Sequence, residues 1–528
     1  MHHRVLAGRE IADDVVRRVT TRTLDRADVD GGPHLEEVIH ETIYTEQHRL
    51  SLYDAAPRSG ADRAFVGWLR HELACANRER RRELIALVVE RYVNEISGHF
   101  APQVYAATTR CLPSALAAFM HGLAHGRAIG RREWFDIDDR VLIEGHVDAL
   151  QRLATRGTVI LAPTHVSNLD AVLLGFVIYR LGLPPFAYGA GLNLFSSALI
   201  GFFMRNLGAY TVDRQKTDPL YRAVLKEYTT VLLERGQPSL FFPGGTRSRS
   251  GAIEDHLKMG LLGTAPIAFR HGLEAQSAKP GIFVVPCTLS YPLVLESASL
   301  IDDYLRTEGG AHYIDIRDEF EHPRRWVDFL RGLAQLDLRV HVVIGEPLDC
   351  IGNPVDHQGR SRDPHGRVVD PSRYFTVRGH LAADDVRDAE YTRTLASRLM
   401  AAFRRDTVAL PTHVLAASLF SRMRRDASTP DLFRLLRTLE PEAGVDQDVA
   451  QRDVAAILDR LRQLESKNAV RIAPEVRHSS PEAVIQRALA TFASYHATPP
   501  VEQRGTRLQA TDPKLLYYYG NRIEGLAS

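Results

Sequence analysis

Short apolar runs alternate with stretches of helical periodicity between residues 141 and 350, and this pattern limits the fold more than any other feature. The helical stretches lie at 170–182 and 219–236. The strand-like runs are TVILAP (158–163), PFAYGA (185–190), SLFF (239–242), GIFVVPCTLSY (281–291) and RVHVVIGEPL (339–348). Strands and helices that alternate along a chain build a mostly parallel sheet covered by helices. We therefore predict an α/β fold that binds its ligands where strands end and loops lead into helices.

The chain on either side of this region is largely helical. Residues 77–96 place apolar side chains on one helical stripe, and helical periodicity returns after about residue 385. With 528 residues, the chain exceeds what a single hydrophobic core usually organises. We predict a helical N-terminal region (1–140), an α/β domain that carries the chemistry (141–350), and an exposed loop followed by a helical C-terminal region (351–528).

The charge balance excludes a general attraction to polyanions. The chain has 66 Lys and Arg against 65 Asp and Glu, a formal net charge of +1, so nucleic acid is not an expected partner. Its four cysteines form no CxxC pair and have no metal-binding spacing, which predicts free thiols and no metal site. Any affinity for an anion must therefore be local.

The sequence gives no sign of export or of a membrane-spanning helix. The start MHHRVLAGREIADD (1–14) lacks the apolar stretch of a signal peptide, so we expect none. No uninterrupted apolar run approaches the roughly 18 residues that span a bilayer. Residues 192–210 are rich in apolar side chains and carry one charge, Arg205, and they fit either a buried core helix or a segment that enters a membrane interface.

His165 and Asp170 lie in THVSNLD (164–170), directly after a strand-like run. A His beside an Asp forms a general base with its orienting carboxylate. Five residues on a continuous helix turn the two side chains about 140° apart, so we expect His165 to precede the helix and fold back toward Asp170. The structural alternative is that Ser167 caps the helix. The same spacing recurs, but in or beside a polar loop region, at His365/Asp370 and His380/Asp385.

The run FFPGGTRSRSG (241–251) leads from a strand-like run into paired glycines and two arginines. Gly244 and Gly245 let the backbone approach a ligand closely. The guanidinium groups of Arg247 and Arg249 match phosphate oxygens, which predicts a phosphate site. The alternative is a solvent-exposed turn, and the Gly-Lys-Ser/Thr ending of a Walker loop is missing. Two further basic residues, each of which alone fits a surface charge, are candidates for the same site: Arg214 and Lys258.

Four blocks of the sequence, taken in order, resemble those of the glycerolipid acyltransferase family. These blocks are THVSNLD (164–170), GAYTVDR (208–214), FFPGGTRSRSG (241–251) and VVPCTLSY (284–291). Their order and spacing together are specific, and the resemblance covers about residues 141–350. The glycerol-3-phosphate acyltransferase branch is resembled by the long helical N-terminal region and by YRAVLKEYTTVLLERG (221–236), VVIGEPL (342–348) and DPKLLYYYGNRIEGL (512–526).

The resemblance implies that a fatty acyl group moves from acyl-CoA or acyl carrier protein to the sn-1 hydroxyl of glycerol 3-phosphate. The product is lysophosphatidic acid, used in phospholipid synthesis. His165 is then the general base, and Asp170 holds its tautomer. The acceptor phosphate is gripped by Arg214, Arg247 and Arg249. The resemblance implies no cofactor beyond the thioester co-substrate, and it implies peripheral or monotopic attachment at the cytoplasmic face of a membrane.

Two positions depart from the family pattern. The third block usually carries a glutamate where this chain has Gly244, and the first block commonly carries an arginine where it has Val166. These departures leave the acceptor open, with 1-acylglycerol 3-phosphate and dihydroxyacetone phosphate as alternatives. They also leave open an inactive membrane-associated scaffold that keeps the fold.

Overall fold

The structure is a computed structural model, which describes residues 8–29, 34–53, 59–108, 140–192, 206–308, 339–427, 431–438, 444–496 and 498–527. Most of the apolar segment 192–210 falls outside the described residues, because 193–205 is not among them. Both interpretations of that segment therefore stay predictions.

A bundle of helices forms the described N-terminal region. Each helix buries one apolar stripe, and the last of them begins after Asn77, whose side chain accepts a hydrogen bond from the Arg80 backbone N–H. The helices are α1 (Gly8–Ala27), α2 (Leu35–Leu52), α3 (Ser59–Cys75) and α4 (Arg78–Ile96).

Within the described residues, eight strands build the central sheet in the order β1-β7-β6-β2-β5-β3-β4, and β8 pairs with β6. The strands are β1 (Val141–Gly145), β2 (Thr158–Pro163), β3 (Ala187–Gly191), β4 (Ala209–Val212), β5 (Ser239–Leu240), β6 (Ile282–Ser290), β7 (Val340–Ile344) and β8 (Leu348–Asp349). Along this order from β6 to β4, each strand pairs parallel with its neighbour, and β1 pairs parallel with β7. The exceptions are the antiparallel pairs that β6 makes with β7 and with β8.

Helices follow most of these strands and cover the sheet. They are α5 (Val147–Leu153), α6 (Asp170–Arg180), α7 (Pro219–Glu234), α8 (Met259–Leu262), α9 (Thr264–Glu274) and α10 (Ser297–Glu308). Strands β2 and β6 are buried along their whole length, as expected for strands covered on both faces. The predicted fold class, an α/β fold with a mostly parallel sheet and helical N- and C-terminal regions, is confirmed.

The N-terminal helices attach to the sheet through α7. Val15 of α1 and Val88 of α4 share one apolar cluster with Val224 and Val231 of α7. The hydroxyl of Tyr92 on α4 donates a 2.6 Å hydrogen bond to Asp218, the residue that caps α7. Helices α4 and α7, which are far apart in sequence, are thus joined at the side of the sheet where β4 is the edge strand.

The described C-terminal region adds a second helical layer to the same core. Its helices are α11 (Asp385–Asp406), α12 (Pro411–Asp426), α13 (Leu432–Thr438), α14 (Gln447–Ser466), α15 (Pro474–Arg477), α16 (Pro481–Ala493) and α17 (Pro513–Ala527). Helices α12 and α17 touch backbone to backbone, since a Cβ on Gly520 would lie 2.8 Å from the nitrogen of Ala417. Buried side chains of α12 and α17 belong to one apolar cluster with those of β2, β6 and β7.

Short strands in the C-terminal half were not predicted from the sequence. Part of 351–373, predicted as an exposed loop, forms small hairpins. The hairpins and the small sheets beyond them consist of β9 (Ser361–Arg362), β10 (Val368–Val369), β11 (Thr376–Val377), β12 (His380–Leu381), β13 (Val408–Ala409), β14 (Gly444–Asp446), β15 (Arg471–Ile472), β16 (Val501–Arg504) and β17 (Arg507–Ala510). A 3₁₀ turn, Pro371–Phe375, precedes β11. Runs of two to four residues carry too little periodicity to be recognised in a sequence.

Candidate active site

Three loops meet at one edge of the sheet, beyond the carboxyl ends of β2, β5 and β6. These strands are neighbours and parallel, so their carboxyl ends lie side by side. The loop after β2 carries His165, the loop after β5 carries the two glycines and two arginines, and the chain after β6 carries Tyr291 and Glu296.

His165 lies in the loop before α6, and Asp170 is the first residue of that helix. The Nδ1 of His165 lies 2.8 Å from Oδ2 of Asp170. The imidazole stacks on the Phe242 ring, with the ring centroids 4.0 Å apart and the planes 19° apart. The loop position and the fold-back toward Asp170 match the geometry expected from the spacing. The assignment of His165 and Asp170 as catalytic stays a prediction.

The carboxylate of Asp170 is fully buried and saturated with hydrogen bonds. Its Oδ2 also accepts the backbone N–H groups of Val166 at 2.7 Å and Ser167 at 3.0 Å. Its Oδ1 accepts the hydroxyl of Tyr291 at 2.7 Å. A carboxylate that accepts several donors is held in one position. Because that carboxylate accepts a hydrogen bond from Nδ1, the neutral imidazole has its lone pair on Nε2.

Ser167 makes the contacts that the capping alternative expects, and it makes a long-range contact as well. Helix α6 is defined from Asp170, yet Oγ of Ser167 accepts the backbone N–H of Leu169 at 3.2 Å, and the Asp170 carboxylate accepts the Ser167 N–H. The hydroxyl of Ser167 also donates to the carboxylate of Glu296 at 2.9 Å. Capping contacts and a role of Asp170 beside His165 therefore coexist in this loop.

The charge state of His165 is set by opposing effects. Burial lowers the pKa of His165 below its ordinary value, and the nearby charges of Arg247 and Arg214 act in the same direction. Asp170 opposes them by stabilising the imidazolium. The net direction is downward, so the ring is neutral and able to accept a proton at neutral pH.

The glycine-arginine loop lies directly against His165. The backbone N–H of Ser248 donates to the carbonyl of His165 at 2.8 Å. Gly245 has a φ of +79°, a conformation that glycine adopts without strain, and its N–H closes a turn onto the Phe242 carbonyl. Lys258 is exposed, and its backbone N–H donates to the Pro243 carbonyl at 2.7 Å.

Three arginines near the histidine loop act on one another through their charges. Arg247 pairs with the buried Glu296 at 3.3 Å, and Arg249 pairs with Asp303 at 3.0 Å. Desolvation lowers the pKa of Arg214, and the charges of Arg247 and Arg249 lower it further. Like charges held near one another favour an anion, which relieves the repulsion. The phosphate site at these arginines stays a prediction.

Glu296 connects the two loops. It is buried, and it accepts the Ser167 hydroxyl, the Asn168 backbone N–H at 2.7 Å and the guanidinium of Arg247. Burial raises the pKa of Glu296, and these donors oppose that effect. One carboxylate thus places the arginine loop relative to the histidine loop.

Helix α17, near the end of the chain, supports the arginine loop from below. Gly251 has a φ of +79°, and a Cβ on it would lie 1.9 Å from the Tyr518 carbonyl oxygen. The side chain of Asn521 donates to the Ser250 carbonyl at 3.0 Å. Arg522 donates to the carbonyl of Leu289 in β6. The sequence left the role of the C-terminal region open. In the structure this region packs against the arginine loop and β6.

Sequence reasoning missed Tyr291, Glu296 and Arg522. The first two lie beyond the carboxyl end of β6, so the strand-end rule that pointed to His165 applied to them as well. Arg522 has no such signal, because its contact with β6 joins residues 233 positions apart.

No metal-binding or membrane-spanning element stands out in what is described of the chain. Among the described side chains, no group of three or more His, Cys, Asp and Glu is arranged to hold a metal ion. Likewise, no helix in the described ranges has the length and apolar content that crossing a bilayer requires.

The region that contains this site is similar to known proteins. Residues 145–290 match the acyltransferase family. Among curated proteins, a glycerol-3-phosphate acyltransferase of Pseudomonas fluorescens Pf0-1 is 33% identical over 171 residues, 32% of this chain and 20% of that relative. The enzymes of the same name from Pseudomonas entomophila L48 and Pseudomonas aeruginosa PAO1 are each 31% identical, over 219 and 226 residues.

Residues 145–290 form an acyltransferase domain. The resemblance read from the four blocks, including the glycerol-3-phosphate acyltransferase branch, is confirmed by these comparisons. The aligned region makes up 41% of this chain for the entomophila relative and 43% for the aeruginosa relative, and 24% of each relative. The chain thus aligns with about a quarter of the length of the relatives it matches. The acyltransferase domain contains His165, Asp170 and the arginine loop.

Proposed function

We propose that this protein transfers a fatty acyl group from acyl-CoA or acyl carrier protein to the sn-1 hydroxyl of glycerol 3-phosphate. The product is lysophosphatidic acid, a precursor in phospholipid synthesis. One observation carries the proposal: a histidine held by a buried carboxylate shares a backbone hydrogen bond with a loop that presents arginines. The relatives named glycerol-3-phosphate acyltransferase support the choice of acceptor.

His165 acts as the general base in this reaction. Its Nε2 takes the proton of the acceptor hydroxyl while the oxygen attacks the thioester carbonyl. A C–O bond forms, the C–S bond breaks, and the proton passes to the departing thiolate. General-base assistance of this kind contributes roughly 10² to 10⁴ in rate. Asp170 keeps Nδ1 protonated and stabilises the transient imidazolium.

The arginines hold the acceptor by its phosphate. Arg247, Arg249 and Arg214 act as the handle, and the exposed Lys258 adds charge at the rim. Binding a group remote from the reacting hydroxyl positions that hydroxyl without touching it. Gly244 and Gly245 leave room for the side chains of Glu254 and Lys258, which a Cβ at either position would crowd. The reaction as proposed needs no metal ion and no covalent acyl-enzyme.

The decisive experiment measures thiol release from an acyl-CoA with a panel of acceptors. The panel contains glycerol 3-phosphate, 1-acylglycerol 3-phosphate, dihydroxyacetone phosphate and glycerol. We expect the highest kcat/KM with glycerol 3-phosphate and little turnover with glycerol. A preference for either of the other phosphorylated acceptors would overturn the choice of acceptor while keeping the reaction type.

The matched variants are His165→Ala and His365→Ala, because both histidines have an aspartate five residues later. We expect His165→Ala to lower kcat by about 10² to 10⁴ and His365→Ala to leave it unchanged. Full activity in His165→Ala would reject the mechanism. An inactive wild type that folds and binds membranes would favour the scaffold instead.

We also propose that the protein works at the cytoplasmic face of a membrane as a peripheral or monotopic protein, because its donor and product carry acyl chains. Sedimentation with anionic vesicles tests this. Complete recovery in the supernatant would reject it.

A further inference from the structure

Glu254 occupies the space beside Gly244. A Cβ added to Gly244 would lie 3.1 Å from Cγ of Glu254 and 3.8 Å from its Oε1. A glutamate at position 244 and the glutamate at position 254 would therefore compete for the same volume. The family pattern has a carboxylate at position 244, and this chain has one that reaches the same place from ten residues downstream.

The carboxylate of Glu254 contacts the histidine loop directly. Its Oε1 accepts the backbone N–H of His165 at 2.7 Å. Its Oε2 is buried and has no hydrogen-bond partner among the residues that the structure describes. Burial raises the pKa of Glu254, while the charge of Arg522 and the His165 N–H oppose that effect. A buried carboxylate with an unsatisfied oxygen is costly, and such a cost is common where function requires the group.

His165 is thereby held at three points. Asp170 holds the imidazole, Ser248 donates to the carbonyl, and Glu254 accepts from the N–H. Two of these three contacts come from the segment 244–254, so the position of the base depends on that segment. The neighbouring Asp255 is exposed and provides a matched carboxylate without such a contact.

We propose that Glu254 replaces the carboxylate missing at position 244 and acts as a positioning residue that fixes the His165 backbone. This inference rests on the proposed function, because it assigns Glu254 a part in placing the general base. It also accounts for how the chain keeps an ordered site despite the glycine at position 244.

A double-mutant cycle tests the inference through kcat and both KM values, on whichever phosphorylated acceptor the wild type uses best. We expect Glu254→Ala to lower kcat about 10- to 100-fold, because a small displacement of a catalytic group has effects of that order. Gly244→Glu alone also lowers kcat, since two carboxylates then crowd one buried space. The double variant Gly244→Glu/Glu254→Ala has a kcat at least about tenfold higher than that of Glu254→Ala.

Two further variants separate positioning from folding. Glu254→Gln keeps an acceptor oxygen for the His165 N–H, so it retains more activity than Glu254→Ala, at unchanged thioester KM. Asp255→Ala retains wild-type kcat. Thermal unfolding of each variant measures the folded fraction to which kcat is normalised.

Recovery in the double variant supports the inference, and a double variant no better than Glu254→Ala overturns it. Equal kcat values for Glu254→Ala and wild type also overturn it. Because the cycle uses the best acceptor, poor turnover of glycerol 3-phosphate rejects the proposed function without deciding this inference.

Discussion

Two clusters of charged side chains in this protein are built in opposite ways. Beneath the N-terminal helices, Arg49 contacts Glu46 at 2.7 Å and Asp62 at 2.6 Å, and Lys216 contacts Glu95 at 2.7 Å. In this paired network each of the two cations has carboxylates around it. At the edge of the sheet, the arginines of the candidate site crowd one another and share fewer carboxylates.

The two clusters shift the pKa of the same residue type in opposite directions. Burial acts to lower the pKa of Arg49, but Glu46 and Asp62 raise it above the ordinary value. Desolvation lowers the pKa of Arg214, and Arg247 and Arg249 lower it further. Removing one partner of a buried ion pair leaves an uncompensated charge and destabilises the fold, whereas like charges with perturbed pKa values are a mark of functional sites. The comparison predicts which arginine supports stability and which supports activity.

We expect the greatest loss of stability from a variant that disrupts the paired network. Arg49→Met removes the cation and leaves the carboxylates of Glu46 and Asp62 buried together. We expect the free energy of unfolding to fall by about 3–5 kcal/mol. Denaturant unfolding measures this. Arg214→Met is the matched variant, and because the charges that act on Arg214 are the like charges of Arg247 and Arg249, we expect a change below about 1 kcal/mol. Equal losses in the two variants would remove the distinction between the clusters.

A second prediction concerns the contact that α17 makes with the arginine loop at Gly251. Gly251→Ala forces a Cβ into the Tyr518 carbonyl, so we expect a loss of about 1–3 kcal/mol in stability together with a lower kcat/KM. Gly236→Ala is the control, because Gly236 has a similar φ of +76° and open space around it. A loss of activity no greater in Gly251→Ala than in Gly236→Ala would show that α17 does not hold the loop.

The smallest effect concerns pH. Because the charge of Arg214 helps to lower the pKa of His165, Arg214→Met raises that pKa. The acid limb of the kcat/KM profile then moves to higher pH, since the ring becomes protonated at a higher pH. Arg222→Met removes an exposed charge of α7 and leaves the limb in place. A shift toward lower pH in Arg214→Met would contradict the electrostatic account.

The sequence predicted the parts of this protein that are local. Alternating runs gave β2 and β6 and the helix after β2, and the spacing of His165 and Asp170 gave their approach. It did not give the groups that fix the site, because these come from distant positions. Tyr291 and Asp170 are 121 residues apart, and Ser167 and Glu296 are 129 apart. Local periodicity carries no record of such contacts.

Gly244 also shows that the sequence alone does not reveal contacts made in the fold. In the sequence, the glycine indicates the loss of a carboxylate. In the fold, Glu254 places a carboxylate within 3.8 Å of where a side chain at position 244 would start. A residue's chemistry can move along the chain while its place in space is kept, and block-by-block comparison does not detect that.

The central claim is that the crowded arginines hold the acceptor phosphate beside His165. The most direct measurement is the pair of KM values in Arg247→Ala. Losing a charge-assisted contact raises the KM for glycerol 3-phosphate by roughly 10- to 100-fold. We expect the KM for the acyl thioester to stay within about threefold, because the proposal assigns Arg247 to the acceptor phosphate alone. An equal rise in both KM values, or none in the acceptor KM, would contradict the account.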